Sequence, residues 1–173
     1  VSGNNSFAGA ITLGSASTIE SQSGTLTLSG AIANGGFLLT AGGAGNITAS
    51  GVVSGTGGLT KNDAGTLVLS GGSANTYTGV TTINAGVLES QKVGGLSTGN
   101  VTLAGGTLAI STVDQTYNQI FTVSSASTVN VATGRTFTLG NADADLTGAG
   151  VLTKTGGGTL VIGFNNNTLT GGV

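Results

Sequence analysis

An internal repeat constrains this 173-residue chain more than any other feature. Two segments, Gly55–Leu69 and Gly148–Ile162, align without a gap and share a glycine-rich lead, a Leu-Thr-Lys triplet and a Gly-Thr-Leu-Val strand. A third copy is partial and contains only the later part of the repeat, because Asn5–Leu13 aligns with Asn75–Ile83. Similar units in series indicate a stacked array in which each unit packs against its neighbours.

Apolar and polar residues alternate inside these units. In Thr25–Leu28 the two leucines share one face and the two threonines share the other, and Ser127–Val131 and Arg135–Leu139 follow the same period of two. This period is typical of half-buried β-strands. The turns contain no proline, and Asn34-Gly35 is the only Asn-Gly pair, so the pattern does not favour hairpins.

These observations predict an all-β fold, a parallel β-helix or β-solenoid with about three short strands and roughly 20 residues per coil. A rise of ~4.8 Å per coil and about seven to nine coils would give a rod about 35–45 Å tall. Inward Leu, Ile, Val and Phe would form the core, and outward Thr and Asn would face water. We expect many of the 34 glycines at corners, where the backbone turns tightly or approaches a stacked neighbour.

The segment Gly57–Leu88 carries a longer pattern. It contains Leu-Thr-Lys61, then Gly-Thr-Leu-Val-Leu69, then Asn-Thr-Tyr-Thr-Gly79, and it closes on Thr-Thr-Ile-Asn-Ala-Gly-Val-Leu88. This order closely resembles the autotransporter-associated β-strand repeat. The resemblance implies a right-handed, single-stranded parallel β-helix from the passenger region of a bacterial surface protein, secreted across the outer membrane to the cell surface or beyond. In that family the repeat marks architecture and brings no catalytic or binding residues.

We therefore expect residues 1–173 to form a single β-solenoid segment that is cut in mid-repeat at both ends. The best copy covers residues 55–88, and partial copies cover residues 1–13 and 148–173. Solenoid ends without capping elements present unpaired strand edges. The expected partners are copies of the chain itself, or adjacent repeats of the same polypeptide, stacked end to end.

The composition excludes several classes of chemistry. The chain has no histidine and no cysteine, which excludes a Ser-His-Asp triad, a thiol nucleophile and the usual zinc sites. A net charge of -2, with Arg135 as the only arginine, argues against nucleic acid and anionic lipid as partners. The apolar runs are too short for membrane insertion by this segment. We expect no enzyme activity, no cofactor, and no catalytic, cofactor-binding or metal-binding residues.

The acidic residues are nevertheless candidates for a site. Asp143 and Asp145 lie two residues apart, so on an extended chain their carboxylates would share a face and could bind Ca²⁺ or act as an acid/base pair. A solvated loop is the favoured interpretation, because no calcium-binding repeat recurs along the chain. The other acidic residues are isolated in sequence and are interpreted as solubilising charges: Glu20, Asp63, Glu89 and Asp114.

Two further pairs share repeat positions. Lys61 and Lys154 could form a basic ladder for an anionic glycan, but the favoured interpretation is an outward lysine that discourages edge pairing. Phe7 and Tyr77 are expected to pack against a corner rather than to stack on a ligand.

Threonine pairs and glycosylation sequons complete the candidates. Thr-x-Thr pairs could form an ice-binding face. Their irregular spacing predicts instead that these threonines simply occupy outward positions of strands. They begin at Thr25, Thr76, Thr136, Thr153 and Thr168. Asn-x-Ser/Thr sequons matter only in a host that glycosylates asparagine. They begin at Asn4, Asn46, Asn100 and Asn166.

The sequence as a whole predicts a structural role, as a rigid extracellular stalk, spacer or fibre unit. Stacked coils would supply length and stiffness, and continuous strand ladders would resist unfolding. Two alternatives stay open at this point. One is an adhesin that binds glycans or other surfaces through one solenoid face, and the other is a polysaccharide-cleaving β-helix enzyme with converging carboxylates.

Overall fold

The computed structural model describes residues 3–140, 146–163 and 167–173. These residues form 23 short strands and no helix, and every strand pairing is parallel. Strands that follow one another in the chain lie in different sheets, so the chain winds around a common axis. The first face is one eight-stranded sheet made of β1 (Asn5–Phe7), β4 (Thr25–Leu28), β7 (Asn46–Ala49), β10 (Thr66–Leu69), β13 (Val87–Ser90), β15 (Thr107–Ile110), β18 (Ser127–Val131) and β21 (Leu152–Thr155).

The other two faces follow the first in chain order. The second face consists of two shorter sheets, β2 (Ile11–Thr12), β5 (Ile32–Gly35), β8 (Val53–Gly55) and β11 (Thr76–Tyr77), then β16 (Gln115–Tyr117), β19 (Thr136–Leu139) and β22 (Thr159–Ile162). The third face is again a single eight-stranded sheet, made of β3 (Ser17–Glu20), β6 (Leu39–Gly42), β9 (Leu59–Lys61), β12 (Thr81–Ile83), β14 (Val101–Leu103), β17 (Phe121–Val123), β20 (Leu146–Gly148) and β23 (Thr168–Leu169).

Pairing between coils keeps a regular register. Val87 of β13 pairs with Thr66 of β10 on one side and with Thr107 of β15 on the other. The prediction of an all-β parallel β-solenoid is therefore confirmed. Its handedness and the number of strands per coil stay predictions.

Alternate side chains of each strand point inward and stack in columns, as the period of two predicts. In the first face this places an unbroken aliphatic column along the axis. The column consists of Leu26, Ile47, Leu67, Leu88, Leu108 and Val129, all of them buried.

The two halves of the core are filled differently. The half nearer β1 is aliphatic and retains a void of about 10 Å³, lined among others by Ala41 and Ala49. The other half contains an aromatic cluster, in which the rings of Tyr117, Phe121 and Phe137 lie 5.8–6.3 Å apart in tilted and edge-to-face arrangements. Such pairs add to the stabilisation that burial of the rings already provides.

Glycine at the corners allows the coils to approach closely. A Cβ atom on Gly79 would lie 2.5 Å from the carbonyl carbon of Gly57 in the preceding coil. Gly99 faces Gly79 in the same way, with a carbonyl oxygen at 2.0 Å from its Cβ position. The expectation that glycine serves corner geometry is met at these positions.

The repeat copies do not stay on one face of the solenoid. The Asn-Thr-Tyr copy ending at Tyr77 belongs to the second face, whereas the matching Asn5–Phe7 lies on the first face. The matching residues Thr168–Leu169 lie on the third face. The repeat is therefore a local strand-corner-strand unit that is rotated from copy to copy, and equal repeat positions do not stack on one another.

The second face is interrupted once. Between β13 and β14 the chain crosses this face as a turn-rich loop, residues 91–100, so β11 and β16 are both edge strands. Leu96 fills the core beneath the loop, while Val93 is 66% exposed at its tip. Backbone groups of the loop bond to the coil below, for example from Asn75 N–H to the Gly94 carbonyl at 3.1 Å.

Candidate functional site

Lys61 points into the solenoid rather than outward. It stands in the inward column of the third face between Ala41 and Ile83, and its side chain is only 2% exposed. Its ammonium donates to the carbonyls of Asn62 and Asp63, the latter at 2.8 Å. These carbonyls belong to a corner in which Asp63 adopts a positive φ of 59°. The lysine thus closes the corner that follows its own strand.

Lys154 closes a corner in the same way on a different face. It pairs with the inward Val129, and its ammonium donates to the carbonyls of Gly156, at 2.6 Å, and of Gly158. Gly156 has a positive φ of 78°, like the residue two positions after Lys61. The favoured interpretation of outward lysines is therefore wrong, and so is the basic ladder. The signal was present in the sequence, because a period of two places the lysine of Leu-x-Lys in phase with the inward leucine.

A third lysine is buried without comparable partners. Lys92 is 3% exposed, and its ammonium has one long contact, 3.5 Å to the carbonyl of Gly51. Burial lowers the pKa of the Lys92 ammonium. Burial also lowers the pKa of Lys61, although the negative charge of Asp63 opposes part of that effect. The sequence pattern contains no signal for Lys92, because its loop lies outside the alternating strands.

The acidic residues are distributed along the solenoid. Glu20 and Asp63 lie at the same corner around Gly42, whose Cβ position is 2.6 Å from the Asp63 carboxylate and 3.7 Å from Cγ of Glu20. Asp63 accepts a hydrogen bond from the Gly43 N–H at 2.9 Å, so it also serves the corner. Within the described ranges, no group of three or more acidic residues is arranged to hold a metal ion. Asp143 and Asp145 lie outside the described residues.

The remaining acids bond locally. Glu89 accepts hydrogen bonds from Gln91, at 2.8 Å, and from Ser111. Asp114 accepts the backbone N–H of Thr136 in the next coil at 3.0 Å, and it lies 3.8 Å from Arg135 in an exposed ion pair. An exposed pair of this kind contributes little to stability. The contacts of these acids with Ser111, Thr136 and Arg135 join neighbouring coils.

Asparagines at strand starts bond to the neighbouring coil. The side-chain oxygens of Asn4, Asn46 and Asn100 accept backbone N–H groups 20 or 21 residues further along at 3.0–3.2 Å. Three of the four sequons therefore coincide with coil-to-coil hydrogen bonds, and Asn166 lies outside the described residues. The stacked amides of Asn62 and Asn84 also bond directly, at 2.7 Å.

The two aromatic repeat positions differ. Tyr77 is fully buried, and its hydroxyl lies 2.7 Å from that of Thr81, as expected for a packed corner residue. Phe7 also faces inward, opposite Leu28, but it is 49% exposed because it belongs to the first described coil. The side chain of Phe7 therefore points inward as expected, but it is not buried.

The Thr-x-Thr pairs are spread over all three faces, which agrees with the prediction that they form no single array. A different threonine ladder is present. Each third-face strand contains an outward threonine, and these residues pair from coil to coil along the whole sheet. In order they are Thr18, Thr40, Thr60, Thr82, Thr102, Thr122, Thr147 and Thr168.

The threonine ladder was not predicted from the sequence, because its members are single threonines rather than Thr-x-Thr pairs. The available signal was a single threonine between two inward residues, as in Leu39-Thr-Ala41 and Phe121-Thr-Val123, recurring every 20 to 25 residues. Outward aliphatic residues stand two positions before several of these threonines, directly ahead of the strand. Leu38, Val80 and Ile120 are 40–46% exposed there.

A shallow groove lies beside the loop on the second face. It has a volume of about 460 Å³ between Val93, Ser97 and Thr98 on one wall and Thr116 and Asn118 on the other. Its lining is uncharged, and its polar groups are amides and hydroxyls. In the described part of the chain there is no helix long and apolar enough to cross a membrane.

Comparison with known families identifies the repeat. The family model described as passenger-associated-transport-repeat matches residues 59–89 and 152–173. These are the two segments in which the Leu-Thr-Lys triplet precedes a Gly-Thr-Leu-Val strand. No curated protein and no solved structure matches the chain.

Proposed function

Because this chain carries two copies of the passenger-associated transport repeat, we propose that it is a structural segment of a bacterial secreted or surface protein. In this proposal it acts as a rigid extracellular stalk, spacer or fibre unit. The observation that carries the proposal is the pair of eight-stranded parallel sheets that run unbroken through every described coil. Such ladders transmit load along the axis through many backbone hydrogen bonds acting together.

The corners support the same role. Lysine, asparagine and aspartate side chains satisfy backbone groups where the chain turns. The buried Asn34, for example, bonds both the N–H and the C=O of Gly57, at 3.2 and 2.9 Å. Closing the corners in this way keeps buried polar groups paired, which favours a single rigid packing. Polar groups used for corner closure are also unavailable for chemistry.

Both terminal coils leave inward residues partly uncovered, and this supports end-to-end stacking. Phe7 is 49% exposed at one end, and Leu160 and Ile162 are only half-buried at the other. We propose that further β-coils cover these residues, either from the same polypeptide or from another copy. A solenoid coil is stabilised mainly by its two neighbours, so an added coil would bury both apolar surface and a free strand edge.

The groove on the second face favours a second candidate, an adhesin that binds a neutral glycan through amides and hydroxyls. A glycan array probed with the purified chain separates the two proposals. Binding that Asn118→Ala weakens, with Asn130→Ala as the matched control outside the groove, would support the adhesin. A blank array would leave the spacer as the better account.

The spacer proposal is tested by removing whole coils from the parent protein. Leu26, Ile47, Leu67 and Leu88 occupy equivalent positions in successive coils, so deletion of residues 26–87 removes three coils in register. A spacer should stay folded and secreted and should become shorter by about 14 Å, since each coil contributes ~4.8 Å. Electron microscopy of the purified parent protein measures the change in length.

Deletion of residues 26–76 is the matched control, because it joins the first face to the second and disrupts the ladders. We expect this variant to lose stability and secretion. The spacer proposal fails if the in-register deletion folds and is secreted normally but abolishes a specific activity of the parent protein. That result would show that the removed coils contain a binding or catalytic site.

A further inference from the structure

The third face presents a regular array that the spacer role does not require. Its threonine ladder places one outward threonine on each of eight successive strands, from Thr18 to Thr168. Stacked parallel strands are ~4.8 Å apart, so the hydroxyl and methyl groups repeat at that interval. Threonine is β-branched and stiff at χ1, so each group is held in a defined orientation before anything binds.

The hydroxyl groups of the ladder are largely without protein partners. Thr122 and Thr147 share one contact of 3.2 Å, whereas the hydroxyls of Thr40, Thr60 and Thr82 make none among the described residues. Thr60 is only 9% exposed, so its hydroxyl is nearly buried and still unpaired. Such a group is costly unless something outside the chain bonds to it. Its direction, away from the inward Leu59 and Lys61, is toward the surface of the face.

The surroundings of the ladder are apolar or neutral except at one corner, where two carboxylates lie. The outward positions two residues before the threonines include Leu38, Val80 and Ile120, which are 40–46% exposed. The positions two residues after them include Asn62 and Asn84. Glu20 stands at one end of these three columns, and the Asp63 carboxylate lies beside it, 2.6 Å from the Cβ position of Gly42. No other described residue in the columns is charged, and none is aromatic.

These properties define the partner. It must be neutral, must repeat at nearly the strand spacing, and must accept both hydroxyl and methyl contacts. A polysaccharide finds no exposed aromatic ring to stack on in these columns. The surface of ice presents rows of water molecules at a regular spacing close to that of stacked strands, and it needs neither charge nor an aromatic platform. We propose that the threonine ladder of the third face, with its aliphatic neighbours, is an ice-binding surface.

The proposal is tested with the purified chain in a nanolitre osmometer and in an ice-recrystallisation assay. We expect the unmodified chain to lower the growth temperature of ice below its melting point and to slow recrystallisation. Thr82→Lys with Thr102→Lys, on the ladder, should reduce both effects at least about tenfold, because a central binding patch dominates recognition. Thr48→Lys with Thr128→Lys adds the same charges to outward threonines of the first face and should retain both effects.

A second variant removes the hydroxyls without changing shape or charge. Thr82→Val with Thr102→Val should retain the fold by circular dichroism and should weaken ice binding less than the lysine variant does. The proposal is overturned if the unmodified chain shows neither effect, or if the first-face variant loses activity equally. It is also overturned if the chain forms dimers that only the ladder variants break, because the ladder would then be a contact between copies.

Discussion

At the scale of single residues, the two buried lysines differ in their hydrogen bonding. Lys61 closes a corner of the backbone, whereas Lys92 is buried with little hydrogen bonding. The ammonium of Lys61 bonds two carbonyls of its own corner and lies 3.4 Å from a third, that of Ala85. The ammonium of Lys92 has a single acceptor at 3.5 Å. Both side chains are almost inaccessible to water. The two sites therefore predict opposite responses to the same substitution.

Replacing each lysine by methionine tests this difference. Lys61→Met leaves corner carbonyls unpaired, and we expect a loss of about 2 kcal/mol in the free energy of unfolding. Lys92→Met removes a poorly paired buried charge and keeps the shape, so we expect a gain of about 1 kcal/mol. Urea denaturation of both variants measures the change. Equal losses at the two sites would contradict the account.

The same groups predict how stability depends on pH. Burial lowers the pKa of Lys61 and of Lys92 in the folded chain, so the unfolded chain binds more protons as pH rises toward the ordinary lysine pKa. Stability should therefore increase with pH in that range. Burial raises the pKa of Tyr77 and of Tyr117. Above about pH 10 the unfolded tyrosines ionise first, and stability should fall again.

Urea unfolding between about pH 7 and about pH 11 checks both limbs. In the double variant Lys61→Met with Lys92→Met, the increase of stability with pH should become smaller, and the decrease above about pH 10 should remain. In Tyr77→Phe, the decrease of stability at high pH should become smaller, and the increase at lower pH should remain. A rising limb that persists without the two lysines would show that other groups control it.

At the scale of elements, the corners depend on close approach between coils. Gly79 has no left-handed φ, but its Cβ position lies 2.5 Å from the backbone of Gly57. We expect Gly79→Ala to lower the free energy of unfolding by about 2 kcal/mol or more, because the coils must move apart. Gly72 is the matched control, since nothing lies within 4 Å of its Cβ position. Thermal denaturation should show little effect of Gly72→Ala, and equal effects would contradict this explanation.

The strands themselves could be predicted from the alternation of apolar and polar residues. Thr25–Leu28, Thr66–Leu69 and Ser127–Val131 form strands whose alternate side chains point inward, as the period of two indicates. The face that each strand joins could not be predicted. A repeat encodes a strand and its corner but not the angle through which the preceding coil has turned, so the copies at Asn5 and Tyr77 lie on different faces.

The candidate site was less predictable than the fold. Lysine was assigned to the surface by its charge, although its phase in Leu-x-Lys placed it inward. The threonine ladder depends on pairing between residues 20 to 25 positions apart, which varies from coil to coil. The loop at residues 91–100 buries Leu96 and Lys92 without any alternation that would indicate it.

At the scale of the whole molecule, the partly exposed inward residues of the terminal coils predict association. We expect the chain to self-associate at high concentration through its ends. Phe7→Lys places a charge on one end and should reduce that association. Phe37, which is 41% exposed on a corner between the second and third faces, provides the matched control Phe37→Lys. Sedimentation velocity measures both, and a chain that stays monomeric at high concentration would contradict the prediction.

The central claim is that stacked coils form a stiff, load-bearing unit, and pulling the chain by its two ends with optical tweezers tests it most directly. Coils that are stabilised mainly by their neighbours should unfold one after another. With 20 residues between Val87 and Thr107, each step should release about 70 Å of chain at ~3.4 Å per residue. Coil-sized steps at sustained force are the predicted result. Smooth lengthening at low force, as in a flexible polymer, would contradict the claim.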